Sequence, residues 1–168
     1  MFNWLRQRKR NSFVAAAREE MQTFTANLEL LDGPGRATVV VVATQLRVNL
    51  EREEMVPAGL FGLDSNPGAD PYGKFMDKLD RLVRGFLKRD NASDTAAAYV
   101  WLHTVRALYY PELREEGRAL WTALSEGFDH LLPAFAAAEE QRGHPLEPGV
   151  VEGARFIPQG LERGGISS

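Results

Sequence analysis

The feature that most constrains the fold of this chain is the recurrence of apolar residues at alternating steps of three and four. Such spacing lays an apolar stripe along one side of an α-helix, and the stripe is stable in water only when it packs against another apolar surface. The first stripe consists of Val14, Ala17, Met21, Phe24, Leu28 and Leu31. Because Ser12 is a residue type that caps helix N-termini, the pattern predicts a first helix from Ser12 to near Leu31.

Residues 36–54 are ambiguous, because four consecutive valines at 39–42 suit a buried strand as well as a helix. The apolar pattern continues through Leu46 and Leu50 without a turn residue, which is longer than a usual strand. The sequence therefore favours a largely buried helix and leaves a strand as the alternative. Residues 32–35, Asp-Gly-Pro-Gly, are expected to end the first helix through a glycine at positive φ followed by a proline.

Three more helices are predicted in the second half of the chain. The first of them starts with Asp70 as its N-cap and Pro71 as its first helical residue. The next is capped within residues 90–94 and runs as far as Tyr110, where Pro111 ends or kinks it before a fifth segment continues from Leu113. We expect Pro133 to bend the final turns of that last helix.

These elements predict an all-α fold, a bundle of about five amphipathic helices with an irregular C-terminal tail. The bundle is expected to span residues 12–140 as one domain, which the chain length of 168 residues allows. Residues 1–11 are interpreted as a basic amphipathic leader, and residues 141–168, rich in glycine and proline, as an extended tail.

Composition excludes several classes of function. A formal net charge of -3 argues against a general nucleic-acid binder, which needs a clearly basic surface. The chain has no cysteine, so disulfides, thiolate metal sites and cysteine nucleophiles are excluded. Apolar runs such as residues 39–43 are far shorter than the roughly 20 residues that cross a bilayer. We therefore expect a cytoplasmic protein that carries no cofactor.

No enzyme motif is present in the sequence: it lacks a nucleophile elbow, a phosphate-binding loop and a dinucleotide-binding glycine pattern. The sequence therefore predicts a non-catalytic interaction or regulatory protein rather than an enzyme. Its partner is expected to be another protein or a second copy of the chain, because heptad-like stripes on the first and third predicted helices are typical of self-association.

The first ten residues combine apolar and basic side chains, a mixture that favours anionic lipid surfaces. The residues concerned are Phe2, Trp4, Leu5, Arg6, Arg8, Lys9 and Arg10. They predict weak peripheral binding at the inner surface of a membrane. The commoner explanation of so short a segment is a solvated leader, and both interpretations stay open.

Tyr99, His103, Arg106 and Tyr110 are spaced so that they fall along one side of the fourth predicted helix. A histidine beside an arginine can orient an anion, since Arg recognises carboxylate or phosphate through paired hydrogen bonds. The second functional hypothesis is therefore a binding protein for a small anionic ligand, or a minor enzyme, that uses this face. The alternative is an ordinary packing face, where Tyr and Arg are also common.

Two other groups of charged residues are interpreted as ordinary solvent-exposed surface. The third predicted helix carries a basic stripe interrupted by acidic residues, which is typical of a solvated face. The stripe consists of Lys74, Lys78, Arg81, Arg84 and Lys88. On the fifth predicted helix, Glu126, Asp129 and His130 supply too few ligands for a metal site, so no metal is predicted.

Overall fold

The computed structural model describes residues 2–52 and 72–143. These ranges contain five α-helices and no strand: α1 (Phe2–Glu29), α2 (Gly33–Arg52), α3 (Tyr72–Lys88), α4 (Ala92–Tyr109) and α5 (Arg114–Gln141). The predicted all-α bundle is confirmed, and the ambiguous valine segment is helical within α2. The predicted cap at Asp70 and Pro71 and the predicted tail beyond Gly143 lie outside the described residues.

The start of α1 differs from the prediction. Ser12 is not an N-cap, because the helix already begins at Phe2 and passes through Ser12 without interruption. Residues 2–11 contain neither glycine nor proline and include several good helix formers, so nothing in them stops the helix. The Gln7 side chain also donates a hydrogen bond to Asn11 Oδ1 (3.1 Å), one turn later. The segment interpreted as a separate leader is therefore the first part of α1.

The connection between α1 and α2 also works differently from the prediction. Asp32 Oδ1 accepts a hydrogen bond from the Gly35 amide (2.8 Å), so Asp32 caps the start of α2. Pro34 lies in the first turn of α2, where its missing N–H would have had no helical partner. Gly33 does not adopt positive φ; in the described residues Asp90 and Gly143 do. α1 ends at Glu29, close to the predicted end near Leu31, and the Asp-Gly-Pro-Gly motif also begins α2.

The centre of the bundle is α4, which packs against α2, α3 and α5, while α1 lies along α5. Every residue of α4 from Val100 to Ala107 is buried. The predicted cap is confirmed, since the Asn91 side chain accepts a hydrogen bond from the Asp94 amide (3.1 Å). A 3₁₀ turn, Pro111–Leu113, joins α4 to α5, as the proline at 111 predicts.

Two buried tryptophans connect α4 to its neighbours. Trp101 Nε1 donates to the Ala43 carbonyl of α2 (2.7 Å). Trp121 Nε1, on α5, donates to Thr104 Oγ1 (2.9 Å), and that hydroxyl donates to the Val100 carbonyl (2.6 Å). Each buried indole N–H is therefore paired, as burial of a polar group requires.

None of the described helices combines the length and the apolar character that crossing a bilayer requires. The longest of them, α1 and α5, carry many charged residues along their lengths.

Candidate functional site

The four residues predicted to share one face of α4 do not form one site. Tyr99 and His103 stack with their ring centroids 5.5 Å apart. Tyr110 contacts a different residue, Phe13 of α1, at a centroid distance of 5.0 Å. Arg106 lies between the two groups, because its Nη1 is 3.3 Å from His103 Nδ1 and its guanidinium lies over the Phe13 ring. The four residues therefore form two groups: Tyr99 stacks with His103, whereas Tyr110 packs against α1.

His103 is fully buried and is a neutral ring at physiological pH. Burial and, to a smaller extent, the nearby Arg106 charge together lower its pKa from 6.5 to about 3. Because a guanidinium can only donate, His103 Nδ1 accepts from Arg106 and the ring proton is on Nε2. That Nε2 is buried and has no hydrogen-bond partner among the described residues.

Arg106 is already paired within the fold. Its Nη1 forms an ion pair with Glu20 Oε2 of α1 (3.0 Å), and its side chain is only 9% exposed. Glu20 thus offsets the guanidinium charge, as a buried charge requires. The geometry gives Arg106 a structural partner 86 residues away in the chain, and its role in ligand binding stays a prediction.

Tyr99 and His103 belong instead to a groove of about 500 Å³ between α1 and α4. Its rings lie close together: Phe24 is 5.6 Å from Tyr99 and 5.2 Å from His103 between centroids. Among the described residues that line the groove, two are acids and none is a lysine or an arginine. The lining residues are Ala16, Glu19, Glu20, Thr23, Phe24, Asn27, Tyr99 and His103. The residues from α1 were missed in the sequence, because periodicity in one helix does not show which helix it faces.

The N-terminal turns of α1 have little contact with the bundle. The first buried residue of the helix is Val14, and residues 2–9 are all exposed. Phe2, Trp4 and Leu5 are 78%, 63% and 45% exposed, which is unusual for apolar side chains of this size. The cations Arg6, Arg8 and Lys9 are exposed around them, and the Arg8 guanidinium lies over the Trp4 ring. We call residues 2–9 the N-terminal tip.

Arg10, the last of the predicted lipid-binding residues, does not belong to the N-terminal tip. Its Nη2 lies 3.0 Å from both carboxylate oxygens of Glu112, and its guanidinium lies 4.7 Å from the centroid of the Tyr110 ring. The Glu112 pKa is lowered by a backbone hydrogen bond and by Arg10. Arg10 therefore connects α1 to the 3₁₀ turn through a half-exposed ion pair.

The other charged groupings are explained by neighbouring residues. On α3, Arg84 pairs with Asp80 (2.8 Å), and the side chains of Lys74 and Lys78 lie outside the described residues. On α5, Glu126 pairs with Arg36 of α2 (2.7 Å). In the part of the chain that the structure describes, no three potential ligands lie close enough together to hold a metal.

Comparison of the chain with protein-family models, with characterised proteins and with solved structures gave no match. The groove and the N-terminal tip are therefore the features of the fold from which a function is inferred.

Proposed function

We propose that this protein is a non-catalytic helical interaction protein that docks on an anionic lipid surface through its N-terminal tip. The observation that carries the proposal is the exposure of Phe2, Trp4 and Leu5 beside three exposed cations. All six side chains precede Val14, the first buried residue of α1. This surface can enter a lipid interface without loss of any contact in the core.

Two forces favour such docking. Aromatic and leucine side chains gain free energy when they leave water for the boundary between headgroups and acyl chains. Each lysine or arginine near an anionic surface adds about 1 kcal/mol, which decreases with salt. Arg6, Arg8 and Lys9 have no carboxylate partner in the described residues, so their charges remain available to lipid.

The helical state of the N-terminal tip adds to this argument. Residues 2–9 are helical as part of α1, so lipid binding would not require a separate folding step. Because α1 continues without a break into Val14, Ala17 and Met21 of the core, docking of the tip would also hold the bundle at the surface. The anionic lipids of a cell face mainly the cytoplasm, so the inner leaflet is the proposed site.

Homodimerisation, the other predicted association, has no comparable support. The stripes of α1 and α3 that predicted it are used inside the chain, since Met21, Leu28, Leu79 and Val83 are buried in the single core. Contact with a second copy through those residues would compete with the bundle itself. The homodimer stays a prediction.

Co-sedimentation with vesicles tests the proposal. We expect the full chain to sediment with vesicles of phosphatidylserine and phosphatidylcholine, and much less with pure phosphatidylcholine. Replacing Arg8 by Gln should lower partitioning about fivefold, the equivalent of about 1 kcal/mol. Trp4→Ser should lower it by a comparable factor, since the indole is one of the three exposed apolar side chains that the tip offers.

Matched controls come from exposed residues of the same types elsewhere. Val48→Ser removes an exposed apolar side chain from α2, and Lys88→Gln removes an exposed cation from α3. Both controls should bind vesicles like the unmodified protein. The proposal is wrong if the control variants lose as much binding as the tip variants, or if the unmodified protein does not bind anionic vesicles.

A further inference from the structure

We propose that the groove between α1 and α4 binds a small organic ammonium ion that carries a hydrogen-bonding oxygen. This site is independent of lipid docking by the N-terminal tip and replaces the anionic ligand that the α4 sequence pattern predicted. Three observations support it: the sign of the charge around the groove, the aromatic rings in its wall, and an unpaired donor in its floor.

The charges around the groove favour a cation. Glu19 lines it and has no ion-pair partner among the described residues. Glu20 also lines it, and its charge is offset by Arg106. Burial raises the pKa of Tyr99; the charge of Glu20 raises it further, and the charge of Arg106 acts against it. Because Arg106 already offsets Glu20, the carboxylate of Glu19 is the unbalanced charge among the described residues of the groove, and it favours a cation.

The aromatic wall favours an organic cation over a metal ion. The partly exposed rings of Phe24 and Tyr99 lie side by side in the groove, and ring faces attract ammonium groups within about 6 Å. A metal ion would instead require several converging oxygen or nitrogen ligands. No such group of three is present in the residues that the structure describes.

The floor of the groove supplies a hydrogen-bond donor. His103 is fully buried, and its protonated Nε2 has no partner in the described part of the chain. A buried donor without an acceptor is rare in folded proteins and costs free energy. The oxygen of a bound amino alcohol would supply the acceptor once the Tyr99 or Phe24 ring moves aside. A simple alkylammonium ion has no oxygen to accept this hydrogen bond, so we expect it to bind more weakly than an amino alcohol.

Free choline is the probe that tests this site, because it has a quaternary ammonium and a hydroxyl oxygen. Its neutral carbon analogue, in which a tert-butyl group replaces the trimethylammonium, has nearly the same shape. We expect choline to bind with a Kd in the millimolar range. Binding is measured from the change in the Nε2 chemical shift of His103 in ¹⁵N-labelled protein. The neutral analogue should bind at least about fivefold more weakly, since it lacks the cation–π attraction.

Two variants examine the residues involved. Glu19→Gln should weaken choline binding about threefold, the size expected of one exposed charge pair. Tyr99→Leu should weaken it about fivefold by removing one ring face. Glu140→Gln, at an exposed site near the end of α5, is the matched control and should leave binding unchanged. Helical circular dichroism of each variant verifies that it is folded.

The ammonium could be free or part of a lipid headgroup, so phosphatidylcholine vesicles form a second arm. A His103 shift with vesicles alone assigns the ligand to a headgroup, and a shift with free choline assigns it to a small molecule. The proposal is overturned if neither changes the Nε2 signal, if the neutral analogue binds as well as choline, or if Glu140→Gln weakens binding as much as Glu19→Gln.

Discussion

Gly127 of α5 lies against the backbone of Arg36 in α2: a Cβ built on Gly127 would be 2.6 Å from the Arg36 carbonyl carbon and 2.8 Å from its oxygen. Both atoms belong to the main chain and cannot rotate away. The helices can therefore approach this closely only because residue 127 has no side chain. Arg36 reinforces the contact, since its Nη1 donates to the Ala123 carbonyl (3.1 Å) and pairs with Glu126.

Replacing Gly127 by Ala should therefore destabilise the protein. Alanine is the better helix former by about 1 kcal/mol, but the clash forces α2 and α5 apart, at a cost of about 1–3 kcal/mol. We expect a net decrease in the free energy of unfolding, measured with urea. Gly85→Ala on α3 is the control, because nothing lies within 4 Å of its Cβ position and stability should rise slightly. Equal stabilisation by both substitutions would contradict the close approach.

The hydrogen bond between Trp121 and Thr104 gives a second stability prediction. Thr104→Val keeps the shape of the side chain and removes the hydroxyl that accepts from Trp121 Nε1. The buried indole N–H then has no acceptor, which should lower the free energy of unfolding by about 1–3 kcal/mol. Thr122→Val, at an exposed site on α5, should change it by less than about 0.5 kcal/mol. Equal stability of the two variants would show that this hydrogen bond is absent.

His103 predicts a loss of stability in acid. Its folded pKa of about 3 is below the ordinary value of 6.5, so between these values the unfolded chain binds a proton that the folded chain does not. The contribution of the neutral His103 ring to the free energy of unfolding is complete above pH 6.5. It decreases as the pH falls below this value, by at most about 1.4 kcal/mol per pH unit.

Urea unfolding at several acidic pH values measures this slope. His103→Gln should reduce the slope relative to the unmodified protein, whatever its effect on stability at neutral pH. His130→Gln, at an exposed site on α5, is the control and should keep the slope. A His103→Gln slope equal to that of the unmodified protein would mean that the buried ring binds protons equally well in both states.

Arg10 distinguishes the N-terminal tip from the bundle. Because Arg10 pairs with Glu112, Arg10→Gln should lower stability while changing the partitioning onto anionic vesicles less than Arg8→Gln does. The two substitutions remove the same charge two residues apart in the chain, so they form a matched pair. A larger loss of vesicle binding in Arg10→Gln would place the lipid contact nearer to the 3₁₀ turn.

The features that depend on local chemistry were predicted correctly from the sequence. The helix fold of the valine segment, the cap at Asn91 and the end of α4 before Pro111 all follow from residues within a few positions of each other. Ser12 misled the prediction, because a capping residue acts as a cap only where the preceding residues are not helical.

What the sequence could not predict depends on contacts between distant segments. In the sequence Arg106 resembles a ligand-binding residue, whereas in the fold it pairs with Glu20 of α1. The groove also depends on the pairing of α1 with α4, and an apolar stripe does not identify its partner helix. For the same reason, Arg10 resembled its basic neighbours in the sequence although it binds Glu112 in the fold.

The most direct test of lipid docking is the accessibility of Trp4. Trp101 and Trp121 are only 2% and 6% exposed, whereas Trp4 is 63% exposed, so fluorescence quenching by acrylamide in water reports mainly on Trp4. With saturating anionic vesicles, we expect Trp4 emission to shift to shorter wavelength and become protected from acrylamide. Trp4 that stays as accessible with these vesicles as in buffer would contradict the account.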